Sequence, residues 1–78
     1  MTVKLHGIKH VSINSEYIKL DSLLKLACIA STGGEAKVLI LNGDVFVGGE
    51  RCLLRGKKIR HGDVVRCGAD VLVVKKSI

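Results

Sequence analysis

At Asn42-Gly43 the spacing of the apolar residues changes, and this change restricts the folds open to the chain. Upstream, in KLDSLLKLACIA at 19–30, Leu20, Leu23, Leu24, Ala27 and Cys28 recur at i, i+3, i+4, i+7 and i+8, the period of a helix with one buried face. Asp21 falls in the first turn, where the helix dipole favours an acid, and Lys25 falls on the solvent side. Thr32 and Glu35 have capping-box spacing. A second helix is therefore predicted from Thr32 as N-cap to about Leu41, with Ala36, Leu39 and Ile40 inward and Lys37 outward. Asn42-Gly43 is a stop, because glycine accepts the left-handed backbone that ends helices.

Downstream the period becomes two. VFV at 45–47 reads as a strand, Gly48-Gly49 as a hairpin turn, and Cys52 to Leu54 as the start of the returning segment. Arg55-Gly56-Lys57-Lys58 reads as a glycine-broken polar loop and His61-Gly62 as a turn. VVRC at 64–67 and VLVV at 71–74 are further strands, joined by a turn at 68–70. The repeated tripeptide GDV, at 43–45 and 62–64, reads as two turn-to-strand entries rather than a duplication. Before the helices, residues 3–13 read as a strand with a bulge at Gly7, followed by a polar turn at Asn14, Ser15 and Glu16. Two adjacent helices and a cluster of short strands make an α+β fold, with the helices on one face of a small, mostly antiparallel sheet. At 78 residues there is room for a single domain, 1–78, whose core must be aliphatic because Tyr17 and Phe46 are the only aromatics.

The charge is concentrated. Between Glu50 and Gly62 lie Arg51, Arg55, Lys57, Lys58 and Arg60, within a chain of formal net charge +6. Such a domain attracts polyanions, nucleic acid first. A single-strand binder that stacks bases needs exposed aromatics on a sheet, and this chain has only Tyr17 and Phe46 to offer, with Phe46 in mid-strand, so the nucleic-acid mode left is recognition of backbone and shape by Lys, Arg and main-chain amides. Lys19, Lys25 and Lys37 project from the polar sides of the two helices and extend the same surface. A solvated strand edge also explains a charge run. The rival functional reading is an adaptor whose basic face meets an acidic partner protein.

Other classes find no support. No spacing marks a catalytic acid–base or nucleophile pair, and no G-x-S-x-G or Walker sequence occurs, so no enzyme and no small-molecule substrate are expected. Cys28, Cys52 and Cys67 are odd in number and scattered, which reads as reduced thiols packed as small hydrophobes, without a metal or other cofactor. Lys4, His6, Lys9 and His10 interrupt the first residues before a signal-type apolar run forms. The longest apolar runs, such as VLIL at 38–41, fall far short of the ~20 residues of a membrane span. A cytoplasmic monomer without membrane attachment is the expectation.

The order of motifs resembles the S-four-type RNA-binding domain, or αL motif. Lys19-Leu20-Asp21 is similar to its first-helix start, Glu35-Ala36-Lys37 to its second helix, Gly43-Asp44-Val45-Phe46-Val47-Gly48-Gly49 to its hairpin, and Gly62-Asp63-Val64 to its late strand entry. The similarity covers residues 17 to about 67, and the N-terminal strand and LLRGKKI resemble the short stand-alone bacterial members. Gly33 stands where the family usually has arginine, Gly48 where it has asparagine and His61 where it has proline. The resemblance implies a two-helix αL unit packed on the sheet and binding to structured RNA, ribosomal or transfer RNA, with the ribosome as a partner. The candidate RNA-contacting residues are Lys19, Lys25, Thr32, Lys37, Gly48, Gly49, Arg51, Arg55, Lys57, Lys58 and Arg60.

Overall fold

The alternation of apolar and polar residues near the N-terminus becomes a strand, β1 (Ile8–Ile13), that buries Val11 and Ile13 and exposes Ser12 between them and Ile8, Lys9 and His10 before them. The computed structural model describes residues 7–77. Gly7 directly precedes β1, and the part of the predicted strand at 3–6 lies outside the described residues. A polar turn leads to β2 (Ile18–Lys19), α1 (Leu20–Leu26) and α2 (Gly33–Leu41). Then follow β3 (Val45–Val47), β4 (Glu50–Arg51), β5 (Lys58–Ile59), β6 (Val64–Cys67) and β7 (Asp70–Lys76).

Five strands form one sheet in the order β1-β7-β6-β3-β4, and β2 with β5 forms a separate two-stranded ribbon. All pairs are antiparallel except β1 with β7, which run parallel from Ile8↔Val71 to Ile13↔Lys76. The fold is α+β with a mixed, mostly antiparallel sheet. One face of the sheet contributes Val11, Ile13, Val45, Val65, Cys67, Leu72 and Val74 to the core. They cluster with Leu20, Leu23 and Leu24 of α1, Ala36 and Ile40 of α2, and Ile59 of the ribbon. Fully burying each large aliphatic side chain contributes about 1.5–3 kcal/mol, so this one cluster supplies most of the driving force in so small a domain.

The two helices end in the same way, and only one end carries its usual residue. After α2, Gly43 (φ 83) donates to the Ile40 carbonyl and Asp44 to that of Leu39. After α1, Cys28 (φ 61) donates to the Lys25 carbonyl and Ile29 to that of Leu24. Both are Schellman motifs, which glycine favours at the left-handed position. Cysteine there gives no stop signal in the sequence, so the helix predicted through Ala30 ends instead at Leu26. Ala27 is buried as expected, but Cys28 is exposed rather than packed, because the left-handed turn takes it off the helix face. Cys67 is buried and Cys52 intermediate.

Two further expectations are corrected. The strand returning after Gly48-Gly49 is Glu50–Arg51; the Cys52 amide still donates to the Val45 carbonyl at 2.9 Å, and the chain then leaves the sheet, with Leu53 and Leu54 exposed. The cationic stretch is thus no single hairpin: it crosses from the sheet to the ribbon, where Lys58 sits in a strand rather than a loop. The last strand is longer than VLVV, running from Asp70 to Lys76 beside β1.

Candidate nucleic-acid interface

The ribbon sets the site. Ile18 lies opposite Ile59 and Lys19 opposite Lys58. Ile59 is fully buried and Ile18 packs on the core, so the alternation of the strand turns both lysines outward and side by side. Like charges directly opposite each other are destabilising, where favourable cross-strand pairs are worth roughly 0.2–1 kcal/mol. Neither lysine is ion-paired among the described residues.

Tyr17, just ahead of β2, lies beneath two cations of the opposing segment. Lys58 Nζ is 4.9 Å from its ring centroid and Arg60 Cζ is 5.6 Å. The ring face attracts both charges, which fixes their positions without neutralising them. Sequence reasoning passed over Tyr17, since only the pairing of β2 with β5 brings it under these side chains.

The loop before β5 meets the start of α1. The Leu20 amide donates to the Lys57 carbonyl at 2.9 Å and the Asp21 amide to the Arg55 carbonyl at 3.1 Å. Arg55 Nε reaches Asp21 Oδ2 at 3.2 Å, and the Asp21 Oδ1 accepts the Ser22 amide at 2.8 Å. Lys25 stands exposed one turn beyond Asp21 on the same stripe of α1. Lys19, Arg55, Lys57, Lys58 and Arg60 are therefore gathered around the start of α1, with Lys25 extending the path along it.

The remaining candidates lie elsewhere. Thr32 Oγ1 accepts the Glu35 amide at 3.1 Å, so this hydroxyl serves as the cap of α2. Lys37 is exposed on α2. Gly48 and Gly49 form the exposed tip of the β3–β4 hairpin with φ of 59 and 87. Arg51 is turned away from the ribbon group: its Nε donates to the Gly43 carbonyl at 3.0 Å and its Cζ lies 5.3 Å from the Phe46 centroid. Gly43 is needed twice here, for its positive φ and because a Cβ would stand 3.0 Å from Arg51 Nε. Arg66, also missed from sequence, flanks Phe46 on its other side, 4.9 Å from the centroid. Its alternation with buried Val65 and Cys67 was the available signal.

His61 Nδ1 accepts the Lys76 amide at 3.0 Å, which ties the 61–62 turn to the end of β7. Lys76 also pairs with Glu16, and that hydrogen bond and charge, with a smaller contribution from Arg60, hold the Glu16 carboxyl below its ordinary value. Burial, with Asp44 and Asp70 nearby, pushes the Cys67 thiol up. Among the described residues no three His, Cys, Asp or Glu side chains come together in a metal-binding group, and no helix is long and apolar enough to cross a membrane.

Comparison with known proteins gives two matches to this sequence. The family model of the S4 domain matches residues 11–75. A relative from Bacillus subtilis (strain 168), described as probable ribosome maturation protein RlbA, is 42% identical over 55 residues, covering 70% of this chain and 78% of the relative. By the extent of both matches, this chain belongs to the S4 domain family.

Proposed function

We propose that the protein binds structured RNA, ribosomal or transfer RNA, through the cations gathered around the start of α1, with α1 and α2 acting as the αL unit of the family. The observation that carries this reading is Lys19 directly opposite Lys58, two like charges held side by side with no acid between them. A polyanion turns that repulsion into attraction. Lysine and arginine contacts of this kind read phosphate position and RNA shape rather than base identity. The relative's description as a ribosome maturation protein favours a ribosomal setting. Binding rather than catalysis is the activity proposed: His61, the histidine nearest the cluster in sequence, has its Nδ1 engaged with backbone.

The test replaces Arg55, Lys57 and Lys58 with alanine together. The carbonyls that cap α1 belong to the backbone and remain, so the variant is expected to stay folded. RNA affinity should fall about uniformly across sequences, and the slope of log affinity against log salt should shrink by roughly 0.7–1 for each phosphate neutralised in the wild type and not in the variant. Removing Arg55 also leaves the Asp21 carboxylate facing the ligand, which weakens binding further. A folded variant with wild-type affinity and slope removes this loop from the site. Wild-type protein that ignores hairpin RNA but retains an acidic protein after nuclease treatment supports the adaptor reading instead.

A further inference from the structure

The sheet has a second face that contributes nothing to the core cluster. The register places Arg51, Phe46, Arg66, Val71 and Ile8 in one row across β4, β3, β6, β7 and β1. Residues directly opposite one another share a face, so these five stand together. Val64, Val73 and His10 form the next row. The face is open: Ile8 is 61% exposed and Val64 41%. It is also free of strand acids, because Glu50 and Asp70 fall in rows with Val47 and Cys67 on the opposite side.

At its centre is a ladder of one ring between two guanidinium groups, Arg51 at 5.3 Å and Arg66 at 4.9 Å from the Phe46 centroid. Neither arginine is ion-paired among the described residues. A shallow cleft beside the ring is lined by Phe46, Gly49, Val64, Arg66 and Val71. A matching ligand carries negative charge for the guanidinium groups and a flat apolar surface for the ladder and cleft. A nucleotide has both: its base stacks on aromatic or guanidinium planes and its phosphate takes the fork of an arginine. An acidic protein surface would meet the charges but leave the ring and cleft without a flat partner.

The geometry points to a second RNA contact, in which one unpaired nucleotide flanking the folded RNA stacks on the Arg66–Phe46 ladder and places its phosphate on Arg51 or Arg66. It builds on the RNA reading of the ribbon side but uses the opposite face of the sheet. One stacked base also respects the scarcity of aromatics, which rules against a platform for several.

Two probes separate this contact from the first. One is a blunt RNA hairpin of about ten base pairs; the other is the same hairpin with a single-stranded tail of about six nucleotides carrying one 2-aminopurine. Wild-type protein should bind the tailed hairpin more tightly, by on the order of 5- to 100-fold for one stacked base, with quenching of the 2-aminopurine fluorescence. Phe46→Leu, which keeps an apolar side chain, and Arg66→Gln, at an exposed position, should each reduce the tail advantage and the quenching while leaving blunt-hairpin affinity unchanged. No tail advantage in the wild type, or an advantage that survives both substitutions, overturns the proposal. The tail strand alone is measured in parallel for quenching by wild type and Phe46→Leu. If the blunt hairpin fails to bind, the ribbon-side reading falls, and this measurement still decides the sheet contact: quenching lost in Phe46→Leu supports it, and no quenching overturns it.

Discussion

The Leu20 amide donates to the Lys57 carbonyl at 2.9 Å, so the loop that carries the cations is also the cap of the first helix. Lys19 stands at the N-cap with no side-chain hydrogen bond to the helix, and Asp21 takes a second loop carbonyl from Arg55. A binding surface built this way is positioned by the helix it decorates. Inserting one glycine between Gly56 and Lys57 should break both bonds. At roughly 0.5–1.5 kcal/mol each, the loss should be about 1–3 kcal/mol, with faster hydrogen exchange at the Leu20 and Asp21 amides. Unchanged melting and protection would show that the loop does not set the cap.

Lys19 and Lys58 should give opposite signs for stability and binding. Replacing both with alanine removes a directly opposed like-charge pair, so stability should hold or rise by up to about 0.5 kcal/mol. RNA affinity should fall at the same time, with a shallower salt dependence. Thermal melting and a salt titration of binding read the two effects separately. A double variant that loses stability and keeps its affinity contradicts the placement of these lysines.

Cys28 occupies a left-handed position that suits glycine. The strain on a side chain there is about 1–2 kcal/mol, offset in part by the greater freedom glycine has in the unfolded chain, about 0.4–1 kcal/mol. Cys28→Gly should stabilise the protein by about 0.5–1 kcal/mol. In a domain of this size that raises the melting temperature by roughly 4–8 °C per kcal/mol. A lower melting temperature would mean that Cys28 makes contacts worth more than its strain.

The three thiols should separate by reactivity. Exposed Cys28 should react first with an alkylating reagent, Cys52 more slowly, and Cys67 only on unfolding. Burial, then Asp44 and Asp70, raise the Cys67 thiol above 9.0. As pH climbs past that value, the unfolded chain releases this proton while the folded chain keeps it, so this contribution to stability is present below about 9 and is lost as pH rises through the folded value. Cys67→Ala should lower overall stability and flatten the alkaline part of the melting-temperature profile. Mass spectrometry after timed labelling and melts across that range check both statements, and rapid labelling of native Cys67 would contradict them.

The local elements were legible in the order of the residues. The helical period of Leu20, Leu23 and Leu24, the Thr32–Glu35 cap, the Asn42-Gly43 stop and the Gly48-Gly49 turn each lie within a few residues of what they encode, and each appears in the structure. The α+β class followed from the change of period at Gly43. Hydrogen bonds between distant segments decided the rest. Neither the pairing of β1 with β7 nor that of β2 with β5 has a local signature, because register depends on which faces are buried once the chain has closed. That closure brought Lys19 against Lys58, placed Tyr17 under Lys58 and Arg60, and sent Arg51 to the other face to meet Phe46 and Arg66. Composition recorded how many cations the chain carries, but only the strand register, fixed by burial of Ile59 and its neighbours, sorted them into a ribbon-side cluster and a ladder across the open sheet.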